Sequence, residues 1–150
     1  MADAPAGADR LVAHVVAREP LDVALPANHA LAGRDVLTPS DLGGERWIGV
    51  PIGYPFDTVR IAIENQSGTP LVVTQRIRDN RVVEALVSAG QGCALLPRFT
   101  TRARAGIVLR PLAQVRSVRS IVALGRPDRL QRAAVRAVLD ALVESGSVAG

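Results

Sequence analysis

The chain has 150 residues, 48% hydrophobic and 21% charged, enough for one ordinary domain or the bulk of a two-lobed one and too apolar for a disordered chain. Its formal charge of +4 comes from 18 arginines and no lysine against 14 acids, a bias that reads as a GC-rich genome rather than a functional choice. The arginines are spread from Arg10 to Arg136, and the denser group of Arg98, Arg102, Arg104, Arg110, Arg116 and Arg119 has only Phe99 to stack a base, so a solvated basic face fits better than a nucleic-acid footprint.

Aromatics are 3%, which leaves an aliphatic core and favours layered α/β packing. Cys93 is the only cysteine, which excludes an internal disulfide and a multi-cysteine metal centre. The opening "MADAPAGADR" has no apolar core of a signal peptide, and no apolar run approaches the roughly 18 residues of a membrane span. The expected location is the cytoplasm.

In chain order, "RLVAHVVARE" and "PLDVALPA" read as two β-branched strands separated at Glu19-Pro20. A loop follows, with a single helical turn at Pro39 and Thr38 as its N-cap. Then a regular alternation begins. "RWIGV" is a strand, "PFDTVRIAIENQSG" a helix with Val59, Ala62 and Ile63 on one face and Gly68 as its stop, and "PLVVTQRI" a strand. "DNRVVEALVSAG" is a helix capped by Asp79 or Asn80, and "GCALLP" a strand. Strand-helix-strand-helix-strand with short loops implies parallel neighbours, and the unbroken apolar run of "GCALL" suits a strand covered on both faces. "GIVLRPL" and "RSIVALGR" are further strands, and one helix is expected from Asp128, as its cap, to Ser145, with Leu130, Ala134, Val138 and Leu142 in a stripe widened by Val135 and Leu139.

The motifs of common catalysis fail one by one. Gly90-Gln91-Gly92 follows a helix and opens a strand, the reverse of a dinucleotide fingerprint; Gly90 suits a helix C-terminus instead. Without lysine there is no phosphate-binding loop, and there is no Gly-x-Ser-x-Gly elbow. Cys93, inside an apolar strand, reads as a small core residue rather than a nucleophile. His14 and His29 have no partner at metal-ligand spacing, so neither metal nor cofactor is expected.

What remains is position. Ligands of open α/β sheets lie beyond the carboxyl ends of parallel strands, against helix N-termini. Here those places are Val50-Pro51 leading to Pro55, Phe56, Asp57 and Thr58, Ile77-Arg78 leading to Asp79 and Asn80, and Leu96-Pro97 leading to Arg98. Asp57 and Asp79 are either plain N-caps or part of such a site. Two carboxylates there would compete with an anion, so a zwitterion suits the place better than a dianion.

Three stretches together carry a family resemblance. "EPLDVALPANHALAGRDVLTPSDLGGERWIGV" is similar to the inter-lobe crossover of LysR-type transcriptional regulators, "VVEALVSAGQGCALLPR" to their Ala-Gly, x-Gly, apolar and Pro stretch, and "SIVALGRPDRLQRAAVRAVLDAL" to their return strand and final helix. The resemblance implies a periplasmic-binding-protein-like (type 2) fold with a three-layer αβα lobe and the remnant of a second. Residues 1–19 would be what is left of the first lobe, 20–116 the effector-binding second lobe, and 117–150 the return strand and helix of the first. It further implies sensing of a small metabolite in a cleft whose family positions fall on Pro55 to Thr58, Asp79 and Asn80; with Val50 and Pro51 from the strand-end reading these are the expected contacts of an amino acid or small carboxylate. Self-association is implied too, and DNA contact only through a helix-turn-helix domain outside this stretch. A stand-alone metabolite-binding module and an enzyme on the same fold are the alternatives; the second lacks a convergent set of acid, base and nucleophile.

Overall fold

The computed structural model describes residues 10–101 and 105–148. Arg102 and Arg104 lie outside them. Among the described residues six strands and five helices follow in the order β1 (Val12–Pro26), α1 (Pro39–Leu42), β2 (Arg46–Gly49), α2 (Pro55–Ser67), β3 (Val72–Arg76), α3 (Asn80–Ser88), β4 (Ala94–Pro97), β5 (Ile107–Arg110), β6 (Val118–Gly125), α4 (Pro127–Leu130) and α5 (Ala133–Val148). A 3-10 turn, Ala30–Gly33, follows β1. The chain divides into two units, Pro20–Arg119 and, separately, the residues up to Glu19 with those from Ser120 onward.

Within Pro20–Arg119 the alternation of strands and helices has its expected consequence. β2 pairs parallel with β3, and a further parallel bridge joins Trp47 to Cys93 at the start of β4. β1 then pairs antiparallel with β4, from Leu21 opposite Pro97 to Ala24 opposite Ala94, and antiparallel with β5 on its other side. Successive strand residues point to opposite faces, so each strand feeds two cores. Leu21, Val23, Leu25, Trp47, Cys93 and Leu95 pack with Leu42 of α1 and with Val59 and Ile63 of α2. Ala24, Ile48, Ala94 and Leu96 pack with Val83 and Val87 of α3 on the other face. Helices on both faces explain why "GCALL" has no polar alternation.

The two glycines of the Gly-x-Gly stretch do different work. Gly90, just past the end of α3, has φ +74, a left-handed geometry that a Cβ disfavours. Gly92, at φ +153, lies so close to β2 that an added Cβ would meet the Arg46 carbonyl oxygen at 2.9 Å. The stretch is a helix stop and a strand approach.

Two expected boundaries move. Glu19-Pro20 does not separate two strands, because β1 runs unbroken for 15 residues. Proline's dihedral is compatible with extended chain and removes only a donor, and the Pro20 carbonyl still accepts from Arg98 N at 2.9 Å. The expected helix from Asp128 to Ser145 is two helices. Arg126, not Asp128, is the N-cap of α4, and Pro127 takes the first helical position. Leu130 folds back over Gly125, where an added Cβ would meet Leu130 Cδ2 at 2.6 Å, and α5 starts afresh at Ala133. α5 lies with Gly146 against Val16 and Ala17. Val135 and Leu139 are half-buried, while Val138 and Leu142 of the same stripe are exposed.

Candidate functional site

β2 ends at Gly49, and the chain turns through Pro51 to Tyr54, whose N–H donates to the Pro51 carbonyl at 3.2 Å. α2 therefore starts beside the carboxyl end of β2. Ile77 N donates to the Gly49 carbonyl at 2.8 Å, which brings the end of β3 and the start of α3 to the same place. Arg78 lies over the Tyr54 ring, 5.3 Å from its centre, and links the two loops. Val50, Phe56, Asp57 and Asn80 line one small cavity there with Trp47 and Arg60. Its volume is about 10 Å³. That is room for roughly one water. Pro51, Pro55, Thr58 and Asp79 are not in its lining; Pro51 is half-buried, and the other three are exposed on the adjoining turn and helix starts.

The two aspartates part company. Asp79 is a plain N-cap, its Oδ1 accepting from Arg81 N at 2.8 Å and Val82 N at 3.4 Å. Asp57 is no cap at all. Tyr54 holds that position without a side-chain bond, and Asp57 sits buried in the first turn. Its Oδ1 accepts from Arg60 Nε at 2.7 Å and Arg76 Nη1 at 3.3 Å. The Arg60 hydrogen bond, more than any other influence, holds its carboxyl below the usual 3.8, against the opposing effect of burial. Arg60 also donates to Glu64 at 2.6 Å, and Arg76 to the Val50 carbonyl at 2.8 Å. The site floor is thus a neutralised ion-pair chain, and the expected repulsion of anions by two carboxylates is reduced to that of Asp79. Thr58 Oγ1 donates to the Pro55 carbonyl at 2.6 Å, so towards a ligand it offers lone pairs. Asn80, half-buried at the start of α3, offers both a donor and an acceptor.

Arginines of the basic group are partly spent inside the fold. Arg98 makes a bidentate pair with the buried Asp22, both bonds at 2.8 Å, and Arg110 donates twice to the Ala32 carbonyl. Cys93 is 1% exposed, and burial, helped by the Glu45 charge, pushes its thiol up to about 12. Local spacing finds no companion for His29, but the fold does. His29 Nε2 lies 3.3 Å from Glu45 Oε2 and 3.9 Å from Cys93 Sγ. His29 Nδ1 accepts from Leu31 N at 3.2 Å, capping the 3-10 turn. No signal in the sequence marks this cluster, since Glu45 lies 16 residues from His29 and Cys93 lies 64.

Among known proteins, the family model described as the LysR substrate binding domain matches residues 2–147. Of solved structures, the CcmR regulatory domain of Synechocystis PCC6803, in complex with 2-PG, is 17% identical with a TM-score of 0.73, over 97% of this chain and 71% of that one. HinK, a LysR family transcriptional regulator from Pseudomonas aeruginosa, is 20% identical with a TM-score of 0.76, over 97% of this chain and 51% of that one. The effector binding domain of QuiR, in complex with shikimate, is 15% identical with a TM-score of 0.74, over 91% of this chain and 66% of that one. The chain spans about half to seven-tenths of these solved chains. Likeness at such identities is likeness of fold. Among the described residues no helix is long and apolar enough to cross a membrane.

Proposed function

We propose a function from one premise, which is that the chain belongs to the LysR substrate-binding domain family, with the type 2 periplasmic-binding-protein-like α/β fold. It is the effector-sensing part of a LysR-like bacterial transcription regulator, not an enzyme, and works in the cytoplasm. Pro20 to Arg116 form the effector-binding lobe; residues 1–19 and 117–150 belong to the other. The effector is a small metabolite, an amino acid or small carboxylate, held by Val50, Pro51, Pro55, Phe56, Asp57, Thr58, Asp79 and Asn80. DNA is reached through a helix-turn-helix domain of the full-length regulator, and the protein self-associates.

One observation carries the placement: the carboxyl end of β2 and the starts of α2 and α3 converge on Val50, Phe56, Asp57 and Asn80. The helix N-termini favour a ligand carboxylate. The lone pairs of Thr58 and the Asp79 carboxylate favour an ammonium or hydroxyl beside it. A sensor transmits only its differential affinity for two states, so a shallow, pre-linked floor of ion pairs suits it better than a closed catalytic pocket.

Amide chemical-shift mapping against amino acids and small carboxylates tests the reading. Shifts should cluster at Phe56 to Thr58 and Asn80, and Thr58→Val and Asn80→Leu should each weaken binding by roughly 1 kcal/mol. Full affinity in both variants, or a ligand mapped elsewhere, would sink it.

A further inference from the structure

We propose that His29 Nε2, a Glu45 carboxylate oxygen and Cys93 Sγ together bind one thiophilic divalent cation of the zinc type, at the end of the sheet away from Val50 and Asn80. The strand pairing builds this place. His29 follows the carboxyl end of β1, whereas Glu45 immediately precedes β2 and Cys93 immediately precedes β4. β1 is antiparallel to β4, and the chain entering β4 bridges parallel to β2 at Trp47, so these three points meet at one edge. Cys93 N donates to the Arg46 carbonyl at 2.8 Å, and Ile48 N to the Cys93 carbonyl at 2.8 Å, which holds the thiol beside Glu45 through the backbone.

The three ligand atoms lie within 4.8 Å of one another. The nitrogen-to-oxygen edge is 3.3 Å and the sulfur-to-nitrogen edge 3.9 Å. Zinc bonds of about 2.0–2.3 Å in a tetrahedron give edges of roughly 3.3–3.6 Å. Small side-chain movements therefore close the site. A thiolate, an imidazole and a carboxylate are zinc donors, whereas calcium and magnesium take oxygen alone. His29 and Glu45 side chains are 20% and 33% exposed, which provides a way in and a fourth position for water.

The same geometry argues against a nucleophile. A cysteine-histidine-acid relay places the acid on one ring nitrogen and the thiol on the other. Here Glu45 and Cys93 both face Nε2, while Nδ1 takes the Leu31 N–H. That contact also dictates the proton balance of binding. With Nδ1 accepting, the neutral ring carries its proton on Nε2. On binding, the Cys93 thiol releases its proton to solvent and a sulfur–metal bond forms. The imidazole stays neutral by carrying its proton on Nδ1, and the 3.2 Å bond from Leu31 N is given up. Metal occupancy thus loosens the cap of Ala30–Gly33.

Calorimetric titration of the purified full chain with zinc chloride should show one equivalent bound with about one proton released. Cobalt(II) should give a tetrahedral spectrum with a sulfur-to-cobalt charge-transfer band. Cys93→Ala should abolish that band, and it and His29→Gln should each weaken zinc binding at least about tenfold while keeping the native circular dichroism. Should either variant fail to fold, nitrogen NMR of His29 in the unaltered chain decides: zinc must move the ring proton from Nε2 to Nδ1. No stoichiometric binding, an unchanged His29 tautomer, or undiminished binding in folded Cys93→Ala would overturn the proposal.

Discussion

The two units of this chain are built from similar amino acids and end up in opposite conditions. Among the described residues every fully buried apolar side chain lies between Leu21 and Pro97, all in Pro20–Arg119. In the other unit Leu11, Val12, Val15, Ile121, Val122, Leu124, Val138, Leu142 and Val143 are exposed. The clefts differ likewise. The cavity at the candidate site is about 10 Å³, whereas one of about 320 Å³ lies among Val12, His14, Leu130, Leu139 and Val143 of the other unit. Apolar composition alone therefore does not make a core; a sheet covered on both faces does. Pro20–Arg119 has that sheet, and it is the unit that holds both the candidate effector site and the histidine-cysteine cluster.

The same substitution made in each unit should separate them most widely. Leu25→Ala, at a fully shielded position, should cost about 2–5 kcal/mol in a urea titration. Leu142→Ala, 45% exposed, should stay within about 0.5 kcal/mol, and its effect should fall on self-association instead. Equal losses would abolish the distinction.

Asp57→Ala sharpens the picture from the polar side. It removes one of the two carboxylates on the Arg60 guanidinium, which is 13% exposed, leaves Glu64 at 2.6 Å, and should cost about 2 kcal/mol. The pH dependence has a definite sign. Asp57's folded pKa lies below 3.8, so its contribution is fully present above that value and is lost as pH falls through the lower folded one. Acid titration of the variant should show a shallower loss of stability below about pH 4 than the unaltered chain. An unchanged acid limb would mean that Asp57 is not the group responsible.

A smaller effect concerns Cys93. A thiol raised to about 12 is roughly one part in ten thousand ionised at pH 8, so alkylation of the folded chain should be at least 100-fold slower than of the urea-unfolded chain. Rapid labelling at native pH would place Cys93 outside the core.

How much of this was legible beforehand follows from range. The parallel strand-helix alternation and the Gly90 stop rest on local pattern, and both are found. Glu19-Pro20 misleads because a proline inside a long strand looks like a turn when its partners, such as Arg98, are far along the chain. The helix break at Gln131 misleads because the helical periodicity runs straight through it, although Leu130 packs locally over Gly125. At the candidate site the strand-end rule finds Val50, Phe56, Asp57 and Asn80, but not Arg76, which meets Asp57 across 19 residues of chain. Asp57 therefore looks like a cap in sequence and is an ion pair in space.

Hydrogen exchange on the purified chain, resolved by segment and with the oligomeric state measured in the same sample, bears most directly on the division between the units. The amides of β4, Ala94 to Leu96, should exchange only with global unfolding, while those of α5 should exchange by local opening at least about tenfold faster. Equal protection of α5 and β4 in a strictly monomeric sample would contradict it.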